Sequence, residues 1–194
     1  MRLAHLPLVI AFAAAAASLR AQAPAEVKPA SAAVAPASAA SAPAGFRDEF
    51  LSQFDASMSK FVALARAMPA DKYAWRPADG VMPVAQVYAH VARYNYNYPV
   101  SAMGVTAPAG VGLDTLERMS DKAQVVALLE RSGAFVRESV SRMSDDRLAR
   151  TTTLYGREVP QWAVLFQLLA HMNEHLGQSI AYARSNDIVP PWSR

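Results

Sequence analysis

The stretch AHMNEHLGQ, residues 170–178, lies in the last long segment whose apolar residues recur with helical spacing. Residues four apart lie above one another on the same face of a helix, so His171 and His175 can direct two imidazoles at one point. His90, in an earlier helical segment, offers a third. Three nitrogens with one position left open are the ligand set of a catalytic zinc. The spacing therefore predicts a fold that brings these three side chains together, although three histidines with purely structural roles are the alternative.

The first part of the chain has the composition of a leader and a linker. Residues 1–23 have a cation at Arg2, then an apolar run and small residues at their end, the layout of a secretory signal peptide. The apolar run is short for a transmembrane helix, which disfavours the alternative of an uncleaved anchor. Residues 24–45, rich in Ala, Pro and Ser, are expected to form a disordered linker. Residues 46–194 remain as one domain, expected in the periplasm or outside the cell.

Two features of composition exclude classes of function. The chain has no cysteine, so it forms no disulfide and offers no thiolate ligand or nucleophile. Residues 1–45 hold three of the 19 cations and one of the 16 anions, which leaves 16 cations and 15 anions for the folded part. A nearly neutral domain without a basic cluster predicts no nucleic-acid partner. We also expect no stable membrane insertion after leader removal.

Four segments with apolar residues every three or four positions predict four long helices. The first begins at Phe46 and ends at Pro69, and the second begins at Pro83 and is stopped by Pro99. Ser120 is the expected N-cap of the third helix. The fourth begins at Pro160 and contains AHMNEHLGQ. Four apolar-striped helices without a run of alternating strands predict an all-α four-helix bundle.

The segments between the predicted helices have fewer sequence features that predict their structure. The segment 99–119, which contains glycines and prolines, is expected to be irregular and is long enough for a crossover or a lid. Residues 145–148 predict a short helical turn and residues 151–158 a loop. Gly177 costs about 1 kcal/mol inside a helix, so the expected reason for it is close approach of another backbone. Trp192 is expected to pack back on the bundle.

Residues 171–175 also match H-x-x-E-H, the inverted zinc-protease motif, in which Glu174 would activate a metal-bound water. That mechanism needs a further ligand downstream, usually acidic, and Asp187 is the only acid among the 19 residues that follow His175. Glu174 also points away from the apolar stripe of its predicted helix. We interpret the protease match as accidental.

Several motifs together resemble the DinB-like, or YfiT-like, four-helix bundles over residues 46–194. They are WRP at 75–77, QVYAHVA at 86–92, HMNEHLGQ at 171–178 and YAR at 182–184. The ending IVPPWS, residues 188–193, is similar to that of exported members. This chain has Asn186 and Asp187 where relatives often have Asn-Gly.

The resemblance implies a divalent metal ion, most often zinc or nickel, bound by His90, His171 and His175. Characterised relatives include thiol-dependent S-transferases and a maleylpyruvate isomerase, which use the metal to hold or activate a small thiol. A zinc ion with three neutral histidine ligands can lower the pKa of a bound water towards about 7 or hold a thiolate. The implied function is a metal-dependent transferase or hydrolase acting on a small molecule. The alternative is a non-catalytic periplasmic metal- or ligand-binding module.

The candidates for orienting a substrate or supporting the ligands are Gln178, Tyr94 and Tyr155, with ordinary packing favoured for the two tyrosines. Residues 84–98 contain no acid and Glu174 points outward, so no general base is expected beyond a metal hydroxide, and the catalytic residues stay unassigned. The expected partners are a small-molecule substrate, with a thiol among the candidates, and a second copy of the chain in a homodimer.

Overall fold

The computed structural model describes residues 43–193. The predicted signal peptide and residues 24–42 of the predicted linker lie outside the described residues. The five α-helices are α1 Phe46–Ala67, α2 Val84–Asn97, α3 Lys122–Ser141, α4 Asp145–Ala149 and α5 Gln161–Arg184. Two short strands, β1 Thr151–Leu154 and β2 Arg157–Pro160, lie between α4 and α5, and short helical turns occupy Ala70–Lys72, Tyr98–Ala102, Leu116–Arg118 and Pro191–Ser193.

The four long helices form a bundle in which α1 and α2 each contact both α3 and α5. The predicted apolar stripes meet in one core, where Phe61, Leu129 and Leu165 are fully buried. Burying an apolar side chain of this size stabilises the fold by about 1.5–3 kcal/mol. The predicted all-α four-helix bundle is confirmed, and among the described residues no helix is long and apolar enough to cross a membrane.

The helix ends agree with the predictions to within a few residues. Pro83 and Pro160 lie just before α2 and α5, where proline is tolerated because the first turn of a helix has no partner for its N–H groups. The predicted cap at Ser120 is wrong by one residue. Asp121 is the N-cap of α3, and its carboxylate accepts a hydrogen bond of 2.9 Å from the backbone N–H of Gln124.

Pro99 does not stop the second helical segment as predicted, because the chain continues through a π-helical turn at Tyr98–Ala102. Proline lacks an N–H and its ring clashes with the carbonyl four residues earlier, and a wider turn accommodates both defects. Tyr98, the first residue of this turn, lies one helical turn beyond Tyr94 and is 2% exposed.

The predicted loop at residues 151–158 is instead part of a β-hairpin, with Thr151 opposite Pro160 and Leu154 opposite Arg157. Its two central residues, Tyr155 and Gly156, have φ values of 51° and 74°. Positive φ at both positions is what a type I′ turn requires, and this turn matches the twist of antiparallel strands. The strand sequences TTTL and REVP do not alternate apolar and polar residues, so the pattern that marks a strand in sequence is missing.

The structure bears on two further packing predictions, at Gly177 and at Trp192. No heavy atom lies within 4 Å of the position that a Cβ would take at Gly177, so the close approach expected there is wrong within this chain. The tight glycine is Gly133 on α3, where such a Cβ would lie 2.8 Å from Met58 Cε. The turn that contains Trp192 does contact α1, although the indole is 38% exposed.

Candidate metal centre

The neighbouring helices α2 and α5 bring His90, His171 and His175 together. One ring nitrogen of each lies within 4.8 Å of the others. The His90 and His171 Nε2 atoms are 3.2 Å apart, and the His171 and His175 ring centroids are 4.6 Å apart. The convergence expected from the one-turn spacing is therefore present, and the role of these residues as metal ligands stays a prediction.

The surroundings favour the neutral imidazole at His171 and at His90. Burial, together with the adjacent His175 and His90, lowers the pKa of His171 to about 4. Burial also lowers the pKa of His90, although the hydrogen bond that His90 donates to Glu117 opposes this effect. Neutral imidazole is the form that binds a metal, and three such nitrogens are a donor set that suits zinc or nickel. The residues present fit the ion that the family resemblance implies.

His90 is oriented by a carboxylate. Its Nδ1 lies 2.9 Å from Glu117 Oε1, and Arg93 Nη1 lies 3.6 Å from the same oxygen. Because an ionised carboxylate only accepts hydrogen bonds, Nδ1 carries the proton and Nε2 presents its lone pair towards the other two histidines. Glu117 comes from the turn Leu116–Arg118 in the long connection before α3.

Glu117 corrects the expectation that no carboxylate faces the site. The prediction rested on the absence of an inward-facing acid on the helices that carry the histidines. Glu117 lies on neither helix and is 27 residues away from His90 in sequence. It belongs to no apolar period and to no motif, so spacing offered no signal for it. The only sign of this contact in the sequence is that an acid lies within an unusually long connection.

His175 is oriented from its own helix. Its Nδ1 lies 2.8 Å from Gln178 Oε1, the Gln178 amide donates to the Tyr182 hydroxyl at 3.0 Å, and that hydroxyl donates to the Met82 carbonyl at 3.1 Å. Trp75 packs edge-on against Tyr182, with ring centroids 5.3 Å apart. The WRP and YAR motifs therefore meet behind the predicted ligand His175, and the supporting role of Gln178 stays a prediction.

Tyrosine rings form one wall of the site. Tyr94 packs against His90 and His171 with centroid distances of 4.7 and 4.5 Å. Tyr98, which was not among the site candidates, lies 6.0 Å from the His171 ring. Its hydroxyl is 2.5 Å from that of Tyr155, and burial followed by this hydrogen bond raises the Tyr98 pKa. Tyr155 is therefore linked to the site by its hydrogen bond with the Tyr98 hydroxyl.

Comparison with known proteins agrees with this architecture. A sequence model of the DinB superfamily matches residues 53–182, which include all three histidines. A crystal structure of a DinB-like protein from Bacillus cereus is similar with a TM-score of 0.65 and 16% identity, over 74% of this chain and 95% of that chain. At this identity the likeness concerns the fold, and no curated protein matches. The resemblance noted in the sequence is confirmed, and this chain belongs to the DinB superfamily.

Proposed function

We propose that this protein is exported and binds one divalent ion, zinc or nickel, through His90, His171 and His175, and that it acts as a metal-dependent transferase or hydrolase on a small molecule. A thiol-dependent S-transferase is the form that the family resemblance suggests. The observation that carries the proposal is the convergence of three ring nitrogens from two helices within 4.8 Å. Three ligands leave a coordination position for a substrate atom, and an ion bound there supplies Lewis-acid chemistry.

The protein's own residues would hold and orient the ligands. Glu117 and Gln178 each accept from the Nδ1 of one histidine, so both Nε2 atoms point into the site. The rings of Tyr94 and Tyr98 lie against His171 and limit access of water on that side. The paired hydroxyls of Tyr98 and Tyr155 offer hydrogen bonds to a polar substrate near the same wall.

A non-catalytic module that binds metal or ligand is the second candidate. The observation that favours it is the state of Glu117, whose carboxylate already accepts from His90 and lies beside Arg93. A carboxylate held in this way is not free to act as a general base. The two candidates share the metal site and differ in whether substrate is turned over.

Metal analysis tests the site that both candidates need. Purified without an affinity tag, the wild-type protein should carry about one divalent ion per chain, and the His175→Ala variant should lose it because two imidazoles remain. Glu174→Ala is the matched control, since Glu174 is exposed on the same helical turn and should not affect metal content. Full occupancy in His175→Ala would refute the ligand assignment.

A second experiment separates the enzyme from the module. Thiols and electrophilic acceptors are added to the zinc- and nickel-loaded protein, and turnover is followed together with metal-centred spectral change. Thiol ligation with turnover that disappears in His90→Ala supports the transferase. Ligation without turnover across the panel supports the module. If the wild-type site binds no thiol or other added ligand, the open position is wrong and the histidines are structural.

A further inference from the structure

We propose that Glu117 is a positioning residue that links metal binding to the docking of the long connection, residues 103–121, on α2. The inference rests on the proposed metal site. It assigns to this connection a role that neither the family match nor the histidine spacing indicates, because it makes the metal affinity of His90 depend on a separate part of the chain.

The position of Glu117 is set by the fold of the connection itself. The turn Leu116–Arg118 is closed by backbone hydrogen bonds of 3.1 Å from Arg118 to Thr115 and from Met119 to Leu116. Leu116 is 5% exposed and belongs to the hydrophobic core, and the turn packs against α2. One residue of the turn therefore anchors it in the core, while the next residue holds its carboxylate at the His90 ring.

The carboxylate meets two groups on the same face of α2. His90 and Arg93 are three residues apart and lie on neighbouring positions of a helix. Oε1 of Glu117 is 2.9 Å from His90 Nδ1, which is a hydrogen bond, and 3.6 Å from Arg93 Nη1, which is an ion-pair distance. The Arg93 guanidinium also lies 5.1 Å from the centre of the Tyr94 ring. The hydrogen bond and the ion pair of Glu117 both favour the docked position of the connection on α2.

The contact at Nδ1 of His175 differs in kind from the contact of His90 with Glu117. His175 uses Gln178, a neutral amide three residues along the same helix, so its orientation needs no other element. His90 uses an anion from outside the bundle helices. A carboxylate on the far nitrogen fixes the tautomer and makes the imidazole a stronger ligand, and its loss typically weakens metal binding about 10–100-fold. By linkage, bound metal must stabilise the docked connection by the same factor.

Zinc affinity of the full mature chain, measured by competition with a chromogenic chelator, tests the inference. Glu117→Ala should bind zinc about 10–100-fold more weakly than wild type. Glu117→Gln should lose less, because its amide oxygen still accepts from His90. Asp114→Ala is the control, since this residue is an exposed acid in the same connection and should leave the affinity unchanged. Wild-type affinity in Glu117→Ala would overturn the proposal.

Hydrogen exchange provides a readout that a general loss of stability would not reproduce. Zinc should slow exchange of backbone amides in residues 103–121 of the wild type, and this effect should be much smaller in Glu117→Ala. Equal slowing in both proteins would refute the linkage. If Glu117→Ala does not fold, the same two measurements, zinc affinity and hydrogen exchange, on Glu117→Gln and wild type decide whether the linkage exists. A wild-type protein that binds no zinc would instead refute the metal site itself, which distinguishes the two failures.

Discussion

Each of the three histidines is held in a different way. His90 hydrogen-bonds an anion, His175 hydrogen-bonds an amide, and His171 lies against two tyrosine rings. The contact of His175 with Gln178 follows from local geometry, because residues three apart lie side by side on a helix. The contact of His90 with Glu117 depends on where a loop folds. Sequence spacing therefore indicates the contact of His175 with Gln178 and gives no sign of the contact of His90 with Glu117.

Gly177→Ala tests the reason for a glycine in the middle of α5. Alanine is favoured over glycine inside a helix by about 1 kcal/mol, and the position has open space for a Cβ. We therefore expect the free energy of unfolding, measured with urea, to rise by about 1 kcal/mol.

Gly133→Ala is the matched control on α3. There the new Cβ would lie 2.8 Å from Met58 Cε, so the methionine must move and the gain in helix propensity is offset. A loss of stability in Gly177→Ala would contradict the prediction. It would indicate that a second copy of the chain, as in the predicted homodimer, approaches α5 at Gly177.

At the scale of elements, two local irregularities shape the tyrosine wall. The π-helical turn after α2 places Tyr98 beside His171, and the hairpin between α4 and α5 brings Tyr155 to the Tyr98 hydroxyl. Tyr155 has positive φ, a conformation that costs most residues about 1–2 kcal/mol. Backbone strain of this kind often lies near functional sites, which agrees with the place of Tyr155 in the proposal.

Two substitutions at Tyr155 measure the free-energy cost of its positive-φ backbone conformation. Tyr155→Gly and Tyr155→Val both remove the phenol, but only glycine adopts positive φ freely. We expect the valine variant to be less stable than the glycine variant by about 1 kcal/mol in urea unfolding, although valine is the better strand former. Equal stability, or a more stable valine variant, would show that the hairpin turn is not held at positive φ in solution.

At the scale of the whole molecule, the matched part of the chain begins well after its start. The superfamily match opens at residue 53, and the similar structure covers 95% of its own chain but 74% of this one. Residues 1–23 therefore lie outside the segment that the superfamily model matches. Export remains a proposal that rests on Arg2, the apolar run and the small residues Ala21 and Ala23.

Mass spectrometry of the protein from the periplasmic fraction tests leader removal. The mature chain should start between Gln22 and Glu26, because a signal peptidase cuts after small residues. A matched variant with a charge in the apolar run, Val9→Asp, should keep Met1 and stay in the cytosol. An intact Met1 in the soluble periplasmic fraction of the wild type would contradict the prediction.

The helix positions, the common core and the pairing of His171 with His175 could be predicted from the sequence, because they depend on residues three or four apart on one helix. It also carried the motifs by which the superfamily was recognised. Three features could be seen only in the folded chain: Glu117 contacts His90, the hydroxyls of Tyr98 and Tyr155 meet, and residues 151–160 form a hairpin. These contacts join segments far apart along the chain or depend on positive φ and a π-turn, and neither leaves a period in the sequence.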